Sequence, residues 1–220
     1  MSERWATFDC YGTLVDWESG IRSALAFLWP DADADHLLRG YNAIEPAVQA
    51  ADPMSYRRVM AEVLWRLAVA ERLAIPEGHE DVLAETLPDW PVFPEVPPVL
   101  GQLQQRGWRL GILSNTDAGL LDASVAAIGV RPDARVVAGE IGSYKPNPAH
   151  WEEFFAITGA ERTRHVHVAA SLFHDVEPCA RLGLRCVWVN RAGQTSELPR
   201  SGELADLAGL PDLLEGLTPG

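Results

Sequence analysis

Apolar residues follow two rhythms along this chain. Five short runs, at residues 5–8, 108–113, 135–138, 166–170 and 185–189, are rich in β-branched and apolar side chains and read as strands. Stretches with helical spacing fall between and after them, at 96–106, 120–128, 148–158, 176–182 and 204–217. Strands that alternate with helices predict a parallel sheet. The runs are apolar throughout, as strands are when helices cover both faces of the sheet. Gly107, Gly129 and Gly183 stand where helices should end. The expected class is α/β, a Rossmann-like, doubly wound parallel sheet.

One stretch breaks the alternation. From residue 16 to residue 87 only helical periodicity appears, with helices expected at 20–29, 33–51 and 55–74. In the third, Val59, Val63 and Leu67 share a face with Met60 and Leu64, and Ser55 is placed to cap it. Pro88, Pro91, Pro94, Pro97 and Pro98 follow. Their rings fix φ, so this piece reads as a stiff return linker. The predicted division is an α/β core of residues 1–15 and 93–220, interrupted by a helical cap of residues 16–92. Trp17, Trp29 and Trp65 could line a homodimer face or fill the cap core. The last three residues, 218–220, are expected to fray.

Composition narrows the function classes. The chain has 220 residues, 47% of them hydrophobic and 22% charged, which fits an ordinary globular protein. With 31 acids against 18 bases, the net charge of −13 leaves no basic excess for phosphate backbones, so nucleic acid is not an expected partner. Cys10, Cys179 and Cys186 form neither a disulfide framework nor a CxxC metal pair. No basic segment leads into an apolar stretch at the N-terminus, and no run approaches the roughly 18 apolar residues of a membrane helix. The default reading is a cytoplasmic protein with no membrane partner.

Polar residues gather where the strands should end, and ligands of open α/β sheets bind at those ends. The first strand stops at Asp9, ahead of Cys10-Tyr11-Gly12-Thr13. The second runs into Ser114-Asn115-Thr116-Asp117. The loop after the third carries Tyr144-Lys145-Pro146, and the fourth leads to Ser171-Leu172-Phe173-His174-Asp175. A carboxylate at the tip of a buried strand is placed to attack a bound molecule. The plainer readings are helix capping by Ser114, Asn115 and Asp175, and a solvated Arg39.

These four motifs, in this order and with a helical insert after the first, resemble the haloacid dehalogenase superfamily over essentially the whole chain. Tyr11 stands where phosphatases of that superfamily place a second Asp to protonate the departing alkoxide. A Tyr of pKa about 10 is a poor acid at neutral pH, whereas a halide leaves without a proton. Ala170 stands where phosphatases place a Mg²⁺-binding acid. The pattern is similar to that of 2-haloacid dehalogenases. The resemblance implies catalysis by Asp9, Lys145 and Asp175, with Asp9 forming an ester to a small anionic substrate. It implies substrate contacts from Tyr11, Thr13, Arg39, Ser114, Asn115, Trp151 and Ser171, and no cofactor. Leu172 and Trp151 stand where those enzymes carry Asn and Tyr. The alternatives are a Mg²⁺-dependent phosphomonoesterase and a non-catalytic binding protein of the same fold.

Overall fold

Strands form where the apolar runs lie because each is buried from end to end: every residue of β1 (Arg4–Phe8), β4 (His165–Ala169) and β5 (Cys186–Val189) is buried. With β2 (Trp108–Ser114), β3 (Ala134–Val137) and β6 (Gly202–Leu204) they make one six-stranded sheet, ordered β3-β2-β1-β4-β5-β6 and parallel throughout. The computed structural model describes residues 3–51 and 55–218. Helices α5 (Val96–Gln105), α6 (Ala118–Ile128), α7 (Ala138–Ile141), α8 (Ala149–Thr158), α9 (Glu177–Leu182) and α10 (Leu210–Leu217) flank the sheet. No helix among the described residues is long and apolar enough to cross a membrane.

Between β1 and α5 the chain is helical: α1 (Trp17–Leu28), α2 (Ala34–Ala51), α3 (Tyr56–Glu71), α4 (Val82–Thr86) and a single 3₁₀ turn, Leu87–Asp89. Asp16 caps α1 by accepting from the Ser19 N–H, and Ser55 caps α3. Outgoing and returning segments run side by side. Val15 bridges Val92, the Asp16 N–H donates to the Pro91 carbonyl at 2.8 Å, and the Phe93 N–H donates to Leu14 at 3.1 Å. Pro97 and Pro98 belong to the first turn of α5, where a missing N–H does no harm, so the return linker is shorter than the proline count suggests. Of the three tryptophans, Trp29 is buried and donates to the Ala74 carbonyl, Trp17 is half-buried against Tyr41, and Trp65 is exposed.

Two expectations fail near the C-terminus. The helix expected over 204–217 starts only at Leu210, because Gly202–Leu204 pairs with β5 as an edge strand. Leu213 of α10 packs so close that a Cβ on Gly202 would lie 2.8 Å from it. Thr218 is not frayed. It is buried, its carbonyl accepts from Arg4 and its hydroxyl from Arg185. Pro219 and Gly220 lie outside the described residues.

Candidate functional site

The strand order sets the place. Chain connections run from β1 outward to β2 and β3 on one side and to β4, β5 and β6 on the other, so a crevice opens at the carboxyl ends of β1 and β4. Asp9 follows β1 directly, and its N–H donates to Val168 of β4 at 3.1 Å. The backbone then turns through Gly12 at φ +89°, a conformation that favours glycine. That turn brings Thr13 back under Asp9: its hydroxyl donates to Asp9 Oδ2 at 3.0 Å and accepts from the Ala170 N–H at 3.0 Å.

Lys145 joins the motifs. Its Nζ donates to Asp9 Oδ1 at 2.9 Å, to Asp175 Oδ1 at 2.6 Å and to the Leu113 carbonyl at 2.9 Å, which uses all three N–H bonds of the ammonium. Asn115 fixes the lysine backbone from both sides, accepting from its N–H at 2.7 Å and donating to its carbonyl at 3.0 Å. Asp175 comes from a wide π-type turn, Leu172–Val176, capped by Ser171. Burial alone would raise the carboxyl of Asp175, but Lys145 and His167 outweigh it and hold the group well below the usual range. Burial raises Asp9, with Lys145 opposing. Burial likewise works against the Lys145 charge, and the two carboxylates more than restore it.

A cavity of about 240 Å³ opens onto this triad. Asp9, Tyr11, Ser114, Asn115, Lys145, Ser171 and Asp175 all line it, together with Trp17, His174 and a wall from the helical insert: Asn42, Glu45, Pro46, Gln49 and Tyr56. The buried Ser114 hydroxyl has no protein partner. Tyr11 donates or accepts with Ser124 at 3.0 Å, and burial pushes its phenol up, so it is no acid at neutral pH.

Three expected substrate contacts are not where they were expected. Arg39 is exposed on α2 and does not line the cavity; Asn42, Glu45, Pro46 and Gln49 do. Trp151 is fully buried in a second apolar cluster with Trp5, Leu113 and Phe154, edge-on to His167, so it packs beneath the sheet. Thr13 is fully buried and holds Asp9 and Ala170 rather than the cavity surface.

Residues missing from the sequence reading complete the arrangement. His165 and His167 lie on one face of β4, and Thr7 pairs with His167 in register on β1. Thr7 Oγ1 lies 2.7 Å from His165 Nε2 and 2.8 Å from His167 Nδ1, and His167 Nε2 lies 2.9 Å from Asp175 Oδ1. One proton assignment satisfies the chain: His165 donates to Thr7, Thr7 to His167, and His167 to the carboxylate. Burial depresses His165 to about 3, so it is neutral. Period-2 spacing of His165 and His167 was the available signal.

A family model described as haloacid dehalogenase-like hydrolase matches residues 4–183. Haloacetate dehalogenase H-2 of Moraxella sp. (strain B) is 28% identical over 192 residues, covering 84% of this chain and 85% of that protein. A phosphatase of Mycobacterium tuberculosis (strain CDC 1551 / Oshkosh) is 29% identical over 135 residues, 58% of either chain. In fold, a crystal structure of an L-2-haloacid dehalogenase superposes with a TM-score of 0.88 over 98% of this chain and 100% of that one, at 22% identity. The match to the family model spans every strand-end motif of the cavity, and the chain belongs to the haloacid dehalogenase-like hydrolases.

Proposed function

We propose that this hydrolase cleaves the carbon–halogen bond of a small 2-haloacid, with Asp9 as nucleophile. The observation that carries the reading is the Lys145 ammonium shared between Asp9 and Asp175 in a small cavity where Tyr11 takes the place of an acid. Thr13 and Lys145 fix both Asp9 oxygens, which aims the carboxylate before the substrate arrives. In the first step an Asp9 oxygen bonds to C2 while the carbon–halogen bond breaks and the halide leaves with its electron pair. In the second, water attacks the Asp9 carbonyl carbon, the ester C–O bond breaks, and the 2-hydroxy acid leaves with release of one proton. Asp175 Oδ2 is buried without a partner, so this oxygen is free to orient that water. The Ser114 hydroxyl, which has no protein partner, supplies a neutral donor for the substrate anion.

The phosphatase relative favours a second reading, a metal-dependent phosphomonoesterase. Magnesium needs hard oxygen ligands in near-octahedral array. Here Asp9 and Asp175 are both engaged by Lys145, Ala170 adds no side-chain oxygen, and no group of three or more His, Cys, Asp or Glu among the described residues is arranged for a metal. That donor set does not fit the ion.

Single-turnover hydrolysis of L-2-chloropropionate in ¹⁸O-labelled water tests the choice. The expected result is chloride release with label in Asp9 by peptide mass spectrometry, and loss of turnover in Asp9→Ala. Label found only in the product on first turnover would rule out the ester.

A further inference from the structure

Glu45 has no task in the ester route, yet it lines the same cavity. It projects from α2 into the cavity that Asp9 lines and is 8% exposed. Tyr56 Oη donates to its Oε1 at 3.0 Å, and the Gln49 side chain is a second partner. The phenols of Tyr41 on α2 and Tyr144 ahead of Lys145 lie within its electrostatic reach, and Tyr11, Asp9, Asp175, His174 and Lys145 share its cavity. Among the described residues lining that cavity Lys145 is the sole Lys or Arg, and its N–H bonds are spent on Asp9, Asp175 and Leu113. A buried carboxylate without a cationic partner favours its neutral form. Burial pushes Glu45 up to about 7, against the opposing hydrogen bond from Tyr56, so both forms are present near neutrality.

We propose that Glu45 is a specificity-determining residue that contacts the substrate as the neutral acid, donating a hydrogen bond to the carboxylate of a small anionic substrate, and that its ionised form turns such anions away. This rests on the 2-haloacid reading. An ionised Glu45 would add a negative charge to a cavity that already holds two carboxylates against one ammonium. The neutral acid instead supplies the donor that Arg39, exposed elsewhere on α2, does not.

The test is the pH profile of kcat/KM for L-2-chloropropionate, an anion throughout the range, with calorimetric binding of lactate alongside. In the parent, both should fall at least tenfold as pH rises through about 7. Glu45→Gln keeps a donor and cannot ionise, so its profile should lose that fall. Tyr56→Phe removes a bond that favours the ionised form, so the fall should move to higher pH; a folded-state effect alone would not shift it. Urea midpoints check that each variant folds, and Tyr56→Phe decides the matter if Glu45→Gln does not. A fall retained in Glu45→Gln, or unmoved in Tyr56→Phe, overturns the proposal. So does a loss of activity in Glu45→Gln at every pH, which would make the ionised form the working one. Absence of chloride release with lactate binding still governed by Glu45 would sink the dehalogenase reading and leave this one standing; absence of both would sink both.

Discussion

A single hydroxyl connects two buried histidines to the carboxylate beside Lys145. Thr7→Val keeps the shape and removes the hydroxyl, leaving His165 Nε2 and His167 Nδ1 buried without partners. The expected cost is about 1–3 kcal/mol in urea unfolding, with Thr7→Ser near the parent. Gly111 of β2 accommodates this threonine, since a Cβ there would lie 2.9 Å from Thr7 Cγ2. Legibility differed sharply among these residues. Asp9 and Asn115 could be read from the sequence because a polar residue at the end of an apolar run has little reason to be there except a crevice, and Tyr11, Lys145 and Asp175 through the order of the motifs that follow those runs. Thr7, His165 and His167 sit inside such runs, where a polar side chain looks like a tolerated exception. Arg39 and Glu45 share one helix, and only packing decides which of them reaches the cavity.

At the level of elements, α1 meets the return segment with no room to spare. A Cβ on Gly20 would lie 2.4 Å from the Trp90 ring. Alanine is the better helix former by roughly 1 kcal/mol, but overpacking of a fixed ring costs about 1–3 kcal/mol or more. Gly20→Ala should therefore lower stability by about 1–2 kcal/mol, seen as a drop in the thermal midpoint. Helical elements were legible because their periodicity persists over many residues. Strand β6 was not: three residues, Gly202, Glu203 and Leu204, carry no period of their own, and Leu204 fits the spacing of the helix that follows. Its strand character comes from β5, whose open edge accepts it.

Across the whole molecule, two buried acids tilt stability in opposite directions with pH. Asp175 is held low in the fold, so its contribution is present above its unfolded value and is lost as pH falls toward the folded one. Glu45 is raised from 4.5 to about 7, so its contribution is complete below the unfolded value and is lost as pH rises through about 7. Between about pH 5.5 and about pH 8.5 the parent should lose on the order of 2 kcal/mol more than Glu45→Gln, read from paired urea titrations. The insert that carries Glu45 is latched to the sheet at another point. Asp117, on the short stretch from Asn115 that joins β2 to α6, accepts from the Tyr56 and Arg57 N–H groups at 3.0 Å each and so caps α3 from across the interface. Because Asn115 of the same stretch clasps the Lys145 backbone, the insert and the ammonium hang from one short piece of chain, and a strain on either is felt by the other.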